Sequence, residues 1–377
     1  MPIFWMCNRA ISRMKRNSIN TAMKLIFLLC IFALFACSSE NKKTVEPKSK
    51  LAYSPWLSIT ESEKGVLISI TNPDKITEKF EYFIGENGPA SATQISIKRN
   101  GLAVLSSTHV GMLGLLGEIN AISAVADKKY IYNKELNDRI NNGKVVSLGQ
   151  ETDLSAEMLL NSNSKLVVYS AFSGKLAIDN KLKKLGIITI PNFDWRETHP
   201  LGKAQWLLLF GYLTGKQDLA KKEFAAIVKR YNEVKSQSKK SNVKTLVGNL
   251  AGDFWYAPAG GSYNATLLND AGVNYIFKNS KGTGSLSLTL ESVFSKLDAV
   301  SLWLNPGFMS KELIVASNPK AVYFPVYFKG EIYCYAYDMN RFWELSAVQP
   351  DLVLSDLQQI IDKFNSNKKL HFYKRVE

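Results

Sequence analysis

PNFDWRETHPLGKAQWLLLFGYLTGKQDLAKKEFAAIVKRYNEV, residues 191–234, is the stretch from which the fold is read. In its second half Ala220, Phe224, Ile227, Tyr231 and Val234 recur at steps of four, three, four and three. That is the spacing of one face of an α-helix, and Lys and Glu fill most of the intervening positions. The first half holds a shorter helix, with Pro200 near its start and Thr198 or His199 as its cap. Gly211 and Gly215 loosen its end. The chain on either side alternates strand and helix, so these helices are expected to join two similar lobes with a ligand between them.

Ahead of this segment Leu102–Leu105, Ile122–Val125, Val145–Val146, Leu166–Tyr169 and Ile187–Ile190 read as short buried strands. Helices at His109–Leu116, Ser155–Leu160 and Lys175–Leu185 separate them. After it, strands are expected at Thr245–Leu250, Tyr275–Ile276, Ala299–Leu304, Val322–Phe324 and Glu331–Tyr335. Helices are expected at Ala265–Ala271, Leu290–Phe294, Lys311–Ala316 and 350–366. Strands alternating with helices imply mainly parallel sheets with crossover helices. The fold class expected is therefore α/β, two Rossmann-like lobes joined by one long helix. A small β extension precedes them, in which Val66, Ile68 and Ile70 alternate, then Phe80, Tyr82 and Ile84, with Asn72-Pro73-Asp74 turning between.

The chain has 377 residues, 46% hydrophobic and 21% charged, enough for two cores. Leu25–Phe35 is an apolar run flanked by Arg13, Lys15, Arg16 and Lys24, the layout of an export signal. It ends Leu34-Phe35-Ala36-Cys37-Ser38-Ser39, which resembles a bacterial lipoprotein signal with Cys37 as the lipidated residue. Met23-Lys24 would make a compact start to this leader. Five of the 47 basic residues precede Cys37 and no acid does, leaving 42 basic against 33 acidic, a net +9 against +14 for the whole chain. The lysines are scattered, as on a solvated surface, and an exported chain is not expected to bind nucleic acid. Only Cys334 remains after Cys37, so no internal disulfide is expected, and Cys334 reads as a small core residue. The organisation expected is signal peptide 1–36, tether 37–50, β extension 51–94, N-terminal lobe 95–203, bridging helices 204–241 and C-terminal lobe 242–377.

Several motifs carry a family resemblance. They are LSSTHVGMLGLLGEINAISAVAD (105–127), VVSLGQETDLSAEMLLNSNSKLVVY (145–169), ETHPLGKAQWLLLFGYLTGKQDLA (197–220), GDFWYAPAGGSYNATLLNDAGVNYIF (252–277), SLTLESVFSKLDAV (287–300) and QPDLVLSDL (349–357). Together they resemble the substrate-binding proteins of ABC importers for iron–siderophore complexes, haem and vitamin B12, over about residues 95–373. Asn163-Ser164-Lys165 stands where that family commonly has Pro-Asp, and Gln205 where it commonly has Glu. The resemblance implies two lobes bridged by one long helix, here Ala220–Lys235, about 24 Å at ~1.5 Å per residue. It also implies modest hinge closure on a ligand held between the lobes, and one exposed Glu per lobe that pairs with arginines of the permease. By motif these are Glu157 in LSAEMLL and Glu291 in LTLESVF. Each also sits where a helix dipole favours a carboxylate. Glu197 reads as a further exposed acid.

In parallel sheets ligands meet the carboxyl ends of strands. That rule nominates Ser107, Thr108 and His109 after the first strand, Ser170 and Phe172 after VVY, and Phe193, Trp195 and Arg196 after IITIP. In the second lobe it nominates Trp255, Tyr256 and Gly260-Gly261-Ser262, then Trp303 and Asn305, then Tyr337, Arg341 and Trp343. Aromatic faces suit a corrin, a porphyrin or catecholate rings, and arginine suits carboxylate or phosphate. Trp195, Trp255 and Arg341 lead this set because each lies in a turn-rich, polar context, whereas Trp206 is assigned to the core. The three histidines, His109, His199 and His371, have no metal-ligand spacing. GYLTGK at 211–216 is not a phosphate loop, and no nucleophile–base motif is present. The reading is a lipid-anchored, monomeric, non-enzymatic substrate-binding protein facing the periplasm or cell surface. It carries no cofactor or protein-held metal, and it passes an iron–siderophore complex to a membrane permease. Cobalamin and haem are the alternatives within that class, and an exported chelatase acting on metal tetrapyrroles is the alternative outside it.

Overall fold

The computed structural model describes residues 53–97, 101–172, 174–335, 341–362 and 369–377. The leader, Cys37 and Tyr337 lie outside them.

Four strands, β1 (Leu57–Ser62), β2 (Gly65–Thr71), β3 (Lys79–Gly85) and β4 (Thr93–Ile95), form the N-terminal sheet in that order. β1–β2 and β2–β3 are antiparallel and β3–β4 is parallel. The two alternating runs pair with each other, Val66 opposite Ile84, Ile68 opposite Tyr82 and Ile70 opposite Phe80. Ile68 and Ile70 are buried because period two puts both on the face turned to the body. β1 and β4 were not expected from sequence.

The next sheet orders its strands β7-β6-β5-β8-β9, all parallel: β5 (Leu102–Val104), β6 (Ile122–Val125), β7 (Val146–Ser147), β8 (Leu166–Tyr169) and β9 (Ile188–Pro191). Between them run α1 (Ser107–Leu115), α2 (Lys134–Asn141), α3 (Ala156–Asn161) and α4 (Asp179–Lys184). The strand order reverses between β5 and β8.

The bridging stretch breaks into α5 (Pro200–Gln205), α6 (Leu207–Thr214) and the 20-residue α7 (Gln217–Ser236). His199 caps α5, its Nδ1 accepting from Leu201 N at 3.0 Å, with Pro200 at the first turn. Gly215, at φ 72°, closes α6 in the left-handed region. Of the expected stripe, Ala220, Phe224, Ile227 and Tyr231 are buried and Val234 is partly so. A Cβ on Gly211 would lie 2.4 Å from Ala220 Cβ, so α6 and α7 cross at a distance only glycine permits.

The chain then enters a second sheet, ordered β13-β10-β15-β16-β17, from β10 (Lys244–Val247), β13 (Asn274–Tyr275), β15 (Val300–Leu304), β16 (Glu331–Tyr335) and β17 (Tyr373–Arg375). All neighbours are parallel except β16–β17. Here the order reverses between β10 and β15. A three-stranded antiparallel sheet, β11 (Asn249–Ala251), β12 (Phe254–Pro258) and β14 (Ser285–Thr289), grows from the end of β10. The helices are α8 (Tyr263–Asp270), α9 (Leu290–Phe294), α10 (Lys311–Ser317), α11 (Pro325–Lys329), α12 (Phe342–Leu345) and α13 (Pro350–Ile361).

Three expected elements are corrected. Thr245–Leu250 is two strands divided at Gly248, whose φ of 120° turns the chain out of the central sheet. Val322–Phe324 is not a strand: Pro319–Tyr323 is a 3-10 turn, capped by Asn318 Oδ1 accepting from Lys320 N at 3.1 Å. The helix expected over Lys175–Leu185 begins only at Asp179.

Candidate functional site

The loops that leave the carboxyl ends of β5 and β8 flank the reversal in the first sheet, where a crevice is expected. After β8, Ala171 takes a left-handed φ of 52°. Ser170 N donates to Glu151 Oε2 at 2.9 Å, and burial raises the Glu151 carboxyl while the backbone N–H groups of Ser170, Ala171 and Phe172 pull it back. This fixes the loop that presents Phe172, which is exposed. After β9, Trp195 donates its indole N–H to Ser170 O at 2.7 Å. The Phe172 and Trp195 ring centroids lie 4.9 Å apart, and the Arg196 guanidinium carbon lies 5.1 Å from the Trp195 ring centroid. Three of the expected residues thus meet as one aromatic and cationic platform.

Thr108 and His109 do not join it. They lie in the first turn of α1, capped by Ser106, and both are buried. His109 packs 5.2 Å from the Phe210 ring, and neither ring nitrogen has a hydrogen-bond partner among the described residues. Burial pushes it down to about 4, against the pull of Asp194, so it is neutral at pH 7. Asn192 Nδ2, Asp194 Oδ2 and Glu197 Oε2 are likewise buried without partners among the described residues.

Glu197 corrects the expectation of an exposed acid, being fully buried. Its Oε1 accepts from Ser54 Oγ at 2.5 Å and Trp206 Nε1 at 2.8 Å, and burial pushes it up to about 7. Gln205, the family departure, accepts from Tyr53 N and Ser54 N at 2.7 and 3.0 Å. The buried Lys203 lies over the Tyr263 ring at 4.6 Å. Burial works to lower its ammonium, but Tyr263, Asp194 and Glu197 outweigh it and the net direction is up. Tyr263 N also donates to Glu197 O at 3.2 Å, joining the two halves.

In the second half two expected residues prove to be core. Trp255 and Trp303 are buried against each other and Phe324, with indole N–H groups on Val247 O and Gly248 O at 3.2 and 2.8 Å. The physical reason is strand parity: β12 turns Trp255 and Ala257 inward and leaves Phe254 and Tyr256 exposed. Ser262 is spent as the N-cap of α8, accepting from Ala265 N at 3.2 Å. Asn305 N donates to Tyr333 O at 2.8 Å and its amide donates to Tyr373 Oη at 3.3 Å. Trp343 is 36% exposed, its ring 5.3 and 5.4 Å from Tyr335 and Phe342.

Arg341 is partly committed by an ion pair, though its side chain stays 34% exposed. Its Nε donates to Glu344 Oε2 at 2.7 Å. Glu344, fully buried and unremarked in sequence, accepts from Tyr132 N and Asn133 N across the molecule at 2.7 and 2.9 Å through Oε1. Beside it a Cβ on Gly111 would fall 1.7 Å from Glu344 O, so α1 and α12 touch backbone to side-chain-free backbone. The chain carries this clue as Arg341 and Glu344 three apart, the spacing of one helical face.

Glu157 and Glu291 are exposed in the first turns of α3 and α9, capped by Ser155 and Thr289. No group of three or more His, Cys, Asp or Glu is arranged to hold a metal among the described residues. A groove of about 640 Å³ lies between the N-terminal sheet and β8–β9, lined among others by Tyr82, Tyr169, Lys175 and Asp179.

The family model described as periplasmic binding protein matches residues 102–314. The chain is similar to an uncharacterised lipoprotein of Methanocaldococcus jannaschii, 24% identical over 291 residues, covering 74% of this chain and 69% of that one. In fold it is similar to a periplasmic haem-binding protein of Pseudomonas aeruginosa, with TM-score 0.57 and 12% identity over 73% of this chain and 97% of that one. It is also similar to an ABC-type Fe3+-hydroxamate transport protein of Saccharomonospora viridis, with TM-score 0.52 and 17% identity over 79% and 99%.

Proposed function

The chain belongs to the periplasmic binding protein family, and on that premise we propose that it is the lipid-anchored substrate-binding component of an ABC importer. It captures a ferric siderophore-type complex between its two α/β halves and delivers it to a membrane permease. Its lipid is carried on Cys37, it faces the periplasm or cell surface, and it works as a monomer.

The observation that carries this reading is the platform of Phe172, Trp195 and Arg196 at the ends of β8 and β9. Two ring faces and a guanidinium suit a rigid complex with flat donor groups and acceptor oxygens. Each stacked pair contributes about 0.5–1.5 kcal/mol beyond area burial. Tyr256 and Trp343, exposed at the surface of the second half, complete the proposed wall. The siderophore's own oxygens hold the iron.

A chelatase would need imidazole and carboxylate groups facing the ligand. His109 is sealed in the core, His199 caps α5 and stacks on Tyr53, and His371 hydrogen-bonds to Asp356. All three are engaged in structural tasks, which favours the binding reading. Glu157 and Glu291 are proposed to dock on permease arginines.

The test is the visible absorption of protein purified from its native host, followed by titration with ferric siderophores. A ferric charge-transfer band is expected. A porphyrin or corrin band would transfer the assignment to haem or cobalamin. A colourless protein that takes up no ferric siderophore would sink it.

A further inference from the structure

The N-terminal sheet lies outside the matched residues 102–314, yet its side chains converge on the strand and loop that carry the platform. Trp56 Nε1 donates to Arg196 O at 3.2 Å, and Tyr82 Oη donates to Thr189 O at 2.7 Å. Phe80 meets Phe193 with ring centroids 6.5 Å apart. The turn between β2 and β3 reaches furthest. Asn72 Oδ1 accepts from Asp74 N at 2.9 Å and holds the turn, and Asp74 Oδ1 accepts from Arg196 Nη2 at 2.5 Å. Arg196 has five N–H donors in a rigid fork. One is committed to Asp74, while Nε is buried without a partner among the described residues.

From this juxtaposition we propose that Asp74 is a specificity-determining residue, which offsets the charge of Arg196 so that the platform prefers metal complexes of low net charge. The inference rests on the reading of Phe172, Trp195 and Arg196 as a ligand wall. A carboxylate in contact with a guanidinium cancels most of its field a few ångströms further out, while fixing its plane beside the indole. A neutral complex then gains ring contact and a donated hydrogen bond. A trianionic complex gains no net cation and meets the Asp74 charge.

The test is Asp74→Asn, a nearly isosteric change in a turn where the Asp74 side chain is 62% exposed. The probes are a neutral ferric trihydroxamate and a trianionic ferric tris-catecholate, titrated by tryptophan fluorescence at low salt. Affinity for the trianion should rise about fivefold, the scale of one exposed ion pair, with the neutral complex nearly unchanged. In ligand-free protein the Trp195 indole N–H resonance, assigned with Trp195→Phe, should shift on Asp74→Asn. If wild type binds either probe and the variant alters both alike or neither, the role of Asp74 is overturned and the ligand wall stands. An indole resonance that does not move overturns the inference whatever binds. If wild type binds neither probe, the metal-complex reading fails and takes the inference with it.

Discussion

Replacing Glu197 by Gln should tilt the dependence of stability on pH, and the slope follows from two buried groups that oppose each other. Glu197 is pushed from 4.5 to about 7 in the folded protein, chiefly by burial. Between those values the folded chain holds a proton that the unfolded chain has released, so this group's stabilisation is full below pH 4.5 and is lost as pH rises toward 7. His109 moves the other way, from 6.5 to about 4, again chiefly by burial. Between those values the unfolded chain holds the extra proton, so its contribution is full above pH 6.5 and is lost as pH falls toward 4. Each displacement is worth about 3 kcal/mol at about 1.4 kcal/mol per pH unit. Over pH 4.5–6.5 the two slopes cancel in the wild type.

Glu197→Gln keeps an oxygen for Ser54 and Trp206 but removes the titration. Relative to wild type, the variant should therefore gain about 3 kcal/mol in unfolding free energy between pH 4.5 and 6.5. His109→Gln should lose a similar amount relative to wild type over the same interval. Urea denaturation at a series of pH values, read as midpoint at constant m, measures both, because the remaining carboxylates are common to all three proteins and drop out of the difference. Parallel profiles for wild type and Glu197→Gln would refute the burial argument.

Charge reversal of both Glu157 and Glu291 to Lys should abolish uptake in cells while ligand affinity of the purified protein stays within about twofold, since each is a surface carboxylate; normal uptake would reject the docking role. Trp195→Ala should weaken ligand binding by about tenfold, the scale of one stacked ring with its cation, whereas Trp255→Phe should lower the thermal midpoint and leave affinity nearly intact. Equal affinity losses in the two would show that Trp195 acts only through folding. Gly111→Ala places a Cβ where Glu344 O now lies, so α1 and α12 must part; the expected cost is about 1–3 kcal/mol of stability, with an increase in the radius of gyration by small-angle scattering. An unchanged midpoint would mean that the two helices do not abut in solution.

The parts of the fold written in short-range periodicity were legible. The stripe from Ala220 to Tyr231 is buried as its spacing requires, and the five parallel strands of the first α/β sheet arise from apolar runs bounded by turn residues, whereas β17 (Tyr373–Arg375) of the second carries no such run. The parts decided by parity and by distant partners were not. In GDFWYAP the aromatic cluster was visible, but which ring faces the core depends on strand phase. That phase is set where β12 pairs with β14, Trp255 opposite Leu288. Glu197 reads as exposed because carboxylates usually are, and the groups that engage its carboxylate are Ser54, 143 residues away, and Trp206, at the junction of α5 and α6.

Arg341 illustrates the same limit at a site. An arginine in a turn reads as a ligand cation until its acceptor is known, and the acceptor, Glu344, is itself fixed by the Tyr132 and Asn133 backbone of the other half. The charge a cleft presents is thus a property of pairs. Asp74 and Glu344 each oppose one of the two arginines that sequence assigned to the ligand. If the proposed ligand wall holds, each of these carboxylates offsets one arginine, and neutral complexes are expected to bind it better than trianionic ones.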